Sequence, residues 1–235
     1  MQDFADAFAL AWQLIRSGDP DLWAIVLLSL QVSLSAVALA CLIGLPLGAV
    51  VGAFRFPGRG LLGVVFNALM GLPPVVVGLM LYLLLSRAGP LGELGLLYTP
   101  SAMVLAQTVL VTPIVAALCR QVVEDLHHEY DEQLRSLGVG RLGTLTTLLW
   151  DARYSLLTTA LAGFGRAIAE VGAVIIVGGN INHVTRVMTT TIALETSKGN
   201  LALALALGLI LISLALIVNG AVMGLRHTAR GAAYA

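Results

Sequence analysis

The chain has 235 residues, 58% hydrophobic and only 11% charged, with a mean hydropathy of +0.93, whereas roughly a quarter of the residues of a soluble domain are charged. It therefore reads as an integral membrane protein, and its formal net charge of zero suggests neither a nucleic-acid partner nor an anionic surface from the total alone. Cys41 and Cys119 each lie alone in an apolar run, which excludes a disulfide framework or a zinc site and leaves both as core residues.

In chain order, Phe4, Phe8, Ala11, Trp12 and Ile15 fall at helical spacing on one side of a segment too short to cross a bilayer of about 30 Å. Residues 1–20 are thus expected to lie along the membrane surface, ahead of a membrane domain at 21–235. Asp3 and Asp6 stand where a signal peptide is basic, so no cleavage is expected. After Gly18-Asp19-Pro20, Leu22 to Phe54 predicts the first span. Gly44, Gly48 and Gly52 repeat along its distal half as a small-residue stripe for close packing, and Pro46 predicts a kink. The second span, Leu61 to Ser86, is interrupted by Gly71-Leu72-Pro73-Pro74. Broken backbone is tolerated in a bilayer only where it faces protein or a water-filled path, which makes Gly71, Pro73 and Pro74 candidates to line a pathway. Gly89 to Pro100 reads as a short loop, and the third span, Ser101 to Leu118, carries Gln107, Thr108, Thr112 and Pro113.

A polar stretch from Arg120 to Arg153 then separates two apolar segments. It predicts a helix with Leu126, Tyr130, Leu134 and Leu137 on one face, capped by Gly138, and a second short helix from about Leu142 to Trp150. A helix pair of this size cannot bury its apolar face alone and should dock on a partner. The fourth span, Tyr154 to about Val177, contains Arg166 and Glu170 at i,i+4 spacing, expected to share a helix face and pair at membrane depth as a gate or a structural clamp. A polar, threonine-rich loop is expected from Gly178 to Asn200, then a fifth span, Leu201 to Met223, ending at Arg226, His227 and Arg230. With the C-terminus cytoplasmic, eight arginines fall inside against four basic residues outside, which predicts N-out, C-in and a cytoplasmic polar stretch at 120–153.

Enzymatic chemistry is hard to place. Gly58 to Gly63 and Gly138 to Gly143 match the spacing of a dinucleotide loop, but neither follows a predicted strand. The chain has no phosphate-binding P-loop, zincin helix or nucleophile elbow. His127 and His128 are adjacent and project in different directions on a helix, which reads as a solvated face and not a metal site.

The segment Glu132 to Leu148 resembles the cytoplasmic loop signature of permease subunits of binding-protein-dependent ABC importers. Glu132, Gly138 and Leu148 fall on its Glu, Gly and Ile positions, while Gln133, Leu134, Trp150 and Asp151 depart from it. A closer resemblance is carried by Phe164 to Ala173, Val177-Gly178-Gly179-Asn180-Ile181, Thr185-Arg186 and Thr189 to Thr196, which look like the permease of tungstate importers. Molybdate and sulfate permeases share a looser form of it.

The resemblance implies an all-α polytopic membrane protein with five transmembrane helices, an N-terminal interfacial helix and a cytoplasmic coupling-helix pair. It implies no enzyme in this chain and no cofactor of its own, with ATP and Mg held by a partner ATPase. Implied partners are a second copy of the chain, two ATPase subunits, an extracytoplasmic oxyanion-binding protein and the cytoplasmic membrane of a bacterium or archaeon. Glu132, Leu134, Leu137 and Gly138 are expected to couple to the ATPase. The binding protein is expected against the entry to the first span and the loops Gly89 to Pro100 and Gly179 to Asn200. Gly71, Pro73, Pro74, Thr108, Thr112, Arg166 and Glu170 are expected along the path, where hydroxyls and backbone N–H groups would act as transient donors to a tetrahedral dianion. The expected substrate is tungstate. Alternatives are molybdate or sulfate within transport, a polytopic membrane enzyme using Glu170 or the histidine pair, and a passive channel.

Overall fold

The computed structural model describes residues 2–233, without the side chains of 2–5, 222 and 225–233. Phe4 in the first segment and Arg226, His227 and Arg230 in the last therefore lie outside the described side chains. Among the described residues the chain is all-α, with no strand. The helices are α1 (Gln2–Ser17), α2 (Pro20–Ala53), α3 (Arg59–Met70), α4 (Pro74–Leu85), α5 (Pro100–Ser136), α6 (Arg141–Asp151), α7 (Arg153–Ile168), α8 (Gly172–Gly178), α9 (Met188–Lys198) and α10 (Leu201–Ala233). A 3-10 turn occupies Gly92–Leu94. By length and composition α2, α5 and α10 can each cross a membrane alone; α3 with α4 and α7 with α8 are pairs bent by 97° and 59°, and counting each pair as one interrupted span gives the five expected. The chain divides into two compact units, Met1–Ala36 with Pro73–Gln107 and Ala167–Val218, and Val37–Leu72 with Thr108–Arg166 and Asn219–Ala235.

In the second unit the glycine stripe of α2 lies directly against α5. A Cβ on Gly44 would stand 3.0 Å from the Thr112 carbonyl, and one on Gly52 would stand 2.7 Å from that of Arg120. On Gly48 it would overlap the Ala116 carbonyl and lie 2.8 Å from Cys119 Cβ. The absent side chains let the helices approach to backbone contact. The Cys119 thiol donates to the Leu45 carbonyl at 3.3 Å. Below the stripe, Ala49, Ala53, Cys119, Val123, Leu134, Leu148, Ala152 and Leu156 form a continuous buried cluster that joins α2 and α5 to α6 and α7.

The structure departs from the sequence expectation at α5. The sequence predicts a separate helix after the third span, yet Pro100–Ser136 is one helix of 37 residues. The stretch after Leu118 contains neither Gly nor Pro, and i,i+4 pairs support it, Arg120 with Glu124 at 2.6 Å and Arg135 with Asp131 at 2.9 Å. The expected coupling pair is therefore the end of α5 together with α6. The cap is as expected: Gly138 has φ 66, its N–H donates to Arg135 O and that of Val139 to Leu134 O, both at 3.0 Å. This is the Schellman pattern, with Val139 packed on the cluster that contains Leu134.

A second departure lies in the first unit. The polar loop expected from Gly178 to Asn200 contains α9, with Thr189, Thr190, Thr191 and Glu195 buried. The Ser29 hydroxyl on α2 accepts the Met188 N–H at 2.8 Å and so secures the start of α9. At the far end Lys198 Nζ and Asn200 Nδ2 donate to the two oxygens of Glu195 at 3.0 and 2.9 Å. These hydrogen bonds hold the Glu195 carboxyl below the ordinary carboxylate range.

Two outcomes follow from this packing. Leucine at Gly48 is expected to cost about 3 kcal/mol or more through overpacking, seen as a lowered thermal midpoint and loss of monodisperse protein, whereas leucine at Gly60, whose Cβ would meet nothing within 4 Å, should be tolerated. Equal stability of the two variants would refute the close approach. Because the Glu195 pKa is depressed, its stabilisation is present above the unfolded value of about 4.3 and is lost as pH falls through the lower folded value. Glu195→Gln should lower stability at pH 7 and flatten the loss on acidification. An unchanged acid slope in the variant would place the effect elsewhere.

Candidate functional site

The break between α3 and α4 is closed by its own backbone. Gly71 N–H donates to Ala68 O and Leu72 N–H to Leu69 O, both at 3.2 Å, while Pro73 O accepts from Val76 and Val77 at 3.0 and 3.2 Å. Pro74 opens α4, where its missing N–H would have no helical partner in any case. Gly78 and Gly172 then let α4 and α8 pack at backbone distance. A Cβ on Gly78 would lie 2.8 Å from Ala173 Cα, and one on Gly172 would lie 3.4 Å from Val75 N and 3.5 Å from Pro74 Cβ.

The fourth span is also broken, against the sequence expectation. α7 ends at Ile168 with Arg166 in its last turn, and Glu170 lies beyond it, before α8. Arg166 and Glu170 therefore do not share a face of one continuous helix. Glu170 is buried; its Oε1 accepts the Ala173 N–H at 3.2 Å and caps α8, and its main-chain oxygen accepts the Thr189 hydroxyl at 2.8 Å. Gln107 Nε2 donates to Ala167 O at 3.1 Å and closes the end of α7.

These side chains meet at one point in the first unit. Ser29, Ser33, Gln107, Ile168, Glu170, Val187 and Thr189 line a cavity of about 10 Å³, the room of a single water molecule. Gln107 Oε1 is buried beside it with no hydrogen-bond donor among the described residues. The sequence points to Glu170, Gln107 and, within the threonine-rich stretch, Thr189, but not to Ser29 and Ser33, whose only available signal is their i,i+4 spacing. Thr108 is buried, and the Thr112 hydroxyl donates to Thr108 O at 2.7 Å within its own helix. Thr112 thus spends its proton on the backbone and offers no free donor in this conformation.

The glycine-asparagine motif after α8 is a locked turn. Asn180 has φ 50; Thr190 Oγ1 donates to its Oδ1 at 3.0 Å, and its Nδ2 donates to Thr190 O at 3.3 Å. The Thr185 hydroxyl donates to Gly178 O and accepts the Ile181 N–H at 2.9 Å. The threonines that stand out in the sequence therefore fix a loop against α9.

At the other candidate region, Glu132, Leu137 and Gly138 are exposed, Leu137 at 77%. Leu134 is not on this face: it is buried in the core that holds α5 to α6 and α7. Leu142 and Trp150 of α6 are exposed at 77% and 70%, an apolar surface that sequence pattern alone does not assign. Among the described residues no group of three or more His, Cys, Asp or Glu side chains is arranged to hold a metal ion.

Comparison with known proteins accords with this architecture. The tungstate uptake system permease protein TupB of Peptoclostridium acidaminophilum is 39% identical over 227 residues, covering 97% of this chain and 100% of the relative. A probable anion ABC transporter permease protein of Haloferax volcanii is 42% identical over 83% of this chain and 86% of its own length. The molybdenum transport system permease protein ModB of Escherichia coli K12 is more distant, at 31% over 85% and 90%. The pattern of the family described as binding-protein-dependent transport system inner membrane component matches residues 44–226. A multi-pass helical chain whose sequence matches that pattern over most of its length belongs to this family: it is an inner-membrane permease component of a binding-protein-dependent transport system.

Proposed function

We propose that this chain is the membrane-spanning subunit of an ATP-driven importer of tungstate. It works as a homodimer, since one chain offers half a path and one coupling segment. Each copy engages an ATPase subunit that holds ATP and Mg, and a binding protein delivers the anion on the extracytoplasmic side. The N-terminus is outside and the C-terminus cytoplasmic. The observation that carries the coupling role is the exposed apolar set Leu137, Leu142 and Trp150 on a helix pair fixed by the Gly138 cap. Such a surface in the most charged stretch of the chain calls for a protein partner. Tungstate is favoured by the permease from Peptoclostridium, which is similar along its entire length. The more distant likeness to the molybdenum permease makes molybdate the second reading.

In this reading closure of the ATPases moves α6 and the end of α5, and the helix breaks at Gly71 to Pro74 and at Glu170 are where the spans rearrange. Arg166 and the Thr108 region lie along the path. With the Thr112 hydroxyl engaged internally and Gln107 Nε2 bonded to the Ala167 carbonyl, selectivity rests chiefly with the binding protein.

The test is anion-stimulated ATP hydrolysis by the complex in lipid vesicles with its binding protein. Tungstate should stimulate at the lowest concentration; stimulation by molybdate or sulfate alone would keep the permease and discard the tungstate assignment. Replacing both Leu142 and Trp150 with Glu should weaken ATPase association about a hundredfold, each buried apolar side chain contributing roughly a factor of ten. Undiminished association would remove α6 from the interface.

A further inference from the structure

The cavity of about 10 Å³ beside the break between α7 and α8 is walled entirely by residues of the first unit. Ile168 and Val187 form its apolar sides, and its polar groups come from α2, α5, the break and α9. Most of their protons are already engaged. The Ser29 hydroxyl donates to Ile25 O at 2.7 Å, the Thr189 hydroxyl to Glu170 O at 2.8 Å, and Gln107 Nε2 to Ala167 O at 3.1 Å. The last bond fixes the orientation of the amide. A carbonyl only accepts, so the nitrogen faces Ala167, and Oε1 is left without a protein donor among the described residues. Gln107 is 4% exposed and Ser33 only 2%, and the Ser33 hydroxyl makes no hydrogen bond among the described residues.

We propose that this cavity binds one water molecule, which donates to Gln107 Oε1 and pairs with the Ser33 hydroxyl, and so ties α2 to α5 at the break. The size is right for it: a water needs about 10–15 Å³ and two to four polar partners. In a space of one molecule the occupant touches every wall, so Ser33 and Gln107 reach the same one. The proton count then selects its chemistry. Gln107 Oε1 can only accept, and Ser29 and Thr189, with their protons directed elsewhere, turn lone pairs to the cavity, so the occupant must be a donor. A tetrahedral dianion only accepts and is larger than the space, and the Glu170 carboxyl in the wall acts against it further. Ser33 both donates and accepts, which matches a water better than a cation. Gln107 and Glu170 therefore serve the break and make no contact with a transported anion.

The test uses the full chain in its assembled complex, imaged in lipid nanodiscs at a resolution where other buried waters are visible. One peak should lie at about 2.7–3.2 Å from both Gln107 Oε1 and Ser33 Oγ. A map that shows other buried waters and none here overturns the proposal. A second map with tungstate present should keep the same light peak, and density for a heavy anion in the cavity overturns it as well. Thermal midpoints in the chlorides of sodium, ammonium and N-methylglucamine at equal ionic strength should coincide, because a bound cation stabilises in step with its own concentration. A midpoint that rises with sodium or ammonium would give the cavity to a cation instead. Ser33→Ala should lower the midpoint by about 2–4 °C, the effect of one lost hydrogen bond in a chain of this size. Gln107→Met should lower it further, since the Ala167 bond goes too. The double variant should lose less than the sum, because either change breaks the same bridge, and strictly additive losses would refute the bridge. The wild-type maps decide the matter even where a variant fails to fold. None of these readouts depends on which anion stimulates hydrolysis, so the proposal can fail while the tungstate reading stands.

Discussion

A bilayer offers no water to backbone N–H and C=O groups, and the fold follows from that constraint. Each interruption of a span is closed locally. At Gly71 to Pro73 the closure is made by backbone alone, with tight turns on one side and a doubly accepting proline carbonyl on the other. At Ala167 to Gly172 it needs side chains: Gln107 takes the Ala167 carbonyl at the end of α7, the Glu170 carboxylate caps α8, and Thr189 satisfies the Glu170 carbonyl. A buried polar group left unmet costs about 1–3 kcal/mol, so polar residues at this depth serve the backbone first. Gln107 Oε1 is one buried atom left without a hydrogen-bond partner among the described residues, and it lies beside a cavity with the room of a single water molecule.

The glycines answer a related need. Lipid tails are as apolar as leucine, so helices in a bilayer associate by close packing more than by escape from solvent. Gly44, Gly48 and Gly52 bring α2 to the backbone of α5, and Gly78 and Gly172 do the same for α4 and α8. By contrast, a Cβ added at Gly138 would meet nothing within 4 Å; the role of this glycine is conformational, because its positive φ turns the chain from α5 into α6 while Leu134 and Val139 stay packed.

How much of this is legible in the sequence depends on how local each signal is. The proline break, the glycine stripe and the Gly138 cap are written in short sequence patterns, and all three are present in the structure; the span number is met at five only when each bent helix pair is counted as one span. The continuity of α5 is hidden because a change from apolar to charged residues looks like a helix boundary, although charge does not end a helix and no Gly or Pro intervenes. The break at Glu170 carries no Gly-Pro signal; it depends on Gln107, sixty residues away in sequence. α9 is hidden for the same reason, since its buried threonines look solvated until Ser29 and Asn180 are placed beside them. Leu134 reads as part of the docking face because periodicity identifies an apolar stripe without saying which of its members face inward.

The continuity of α5 bears on the coupling role proposed for its end and for α6. A helix of 37 residues is about 55 Å long, against a hydrocarbon core of about 30 Å, so the same rod that carries Gln107, Thr108 and Thr112 at membrane depth extends well outside it to the Gly138 cap. A flexible loop between a membrane span and a docking helix would absorb a displacement. A continuous helix braced by Arg120–Glu124 and Asp131–Arg135, and tied to α6 through Leu134 and Leu148, passes it on. The compliant points are then the breaks in the other two spans, where a few hydrogen bonds and not a full helical ladder hold the chain.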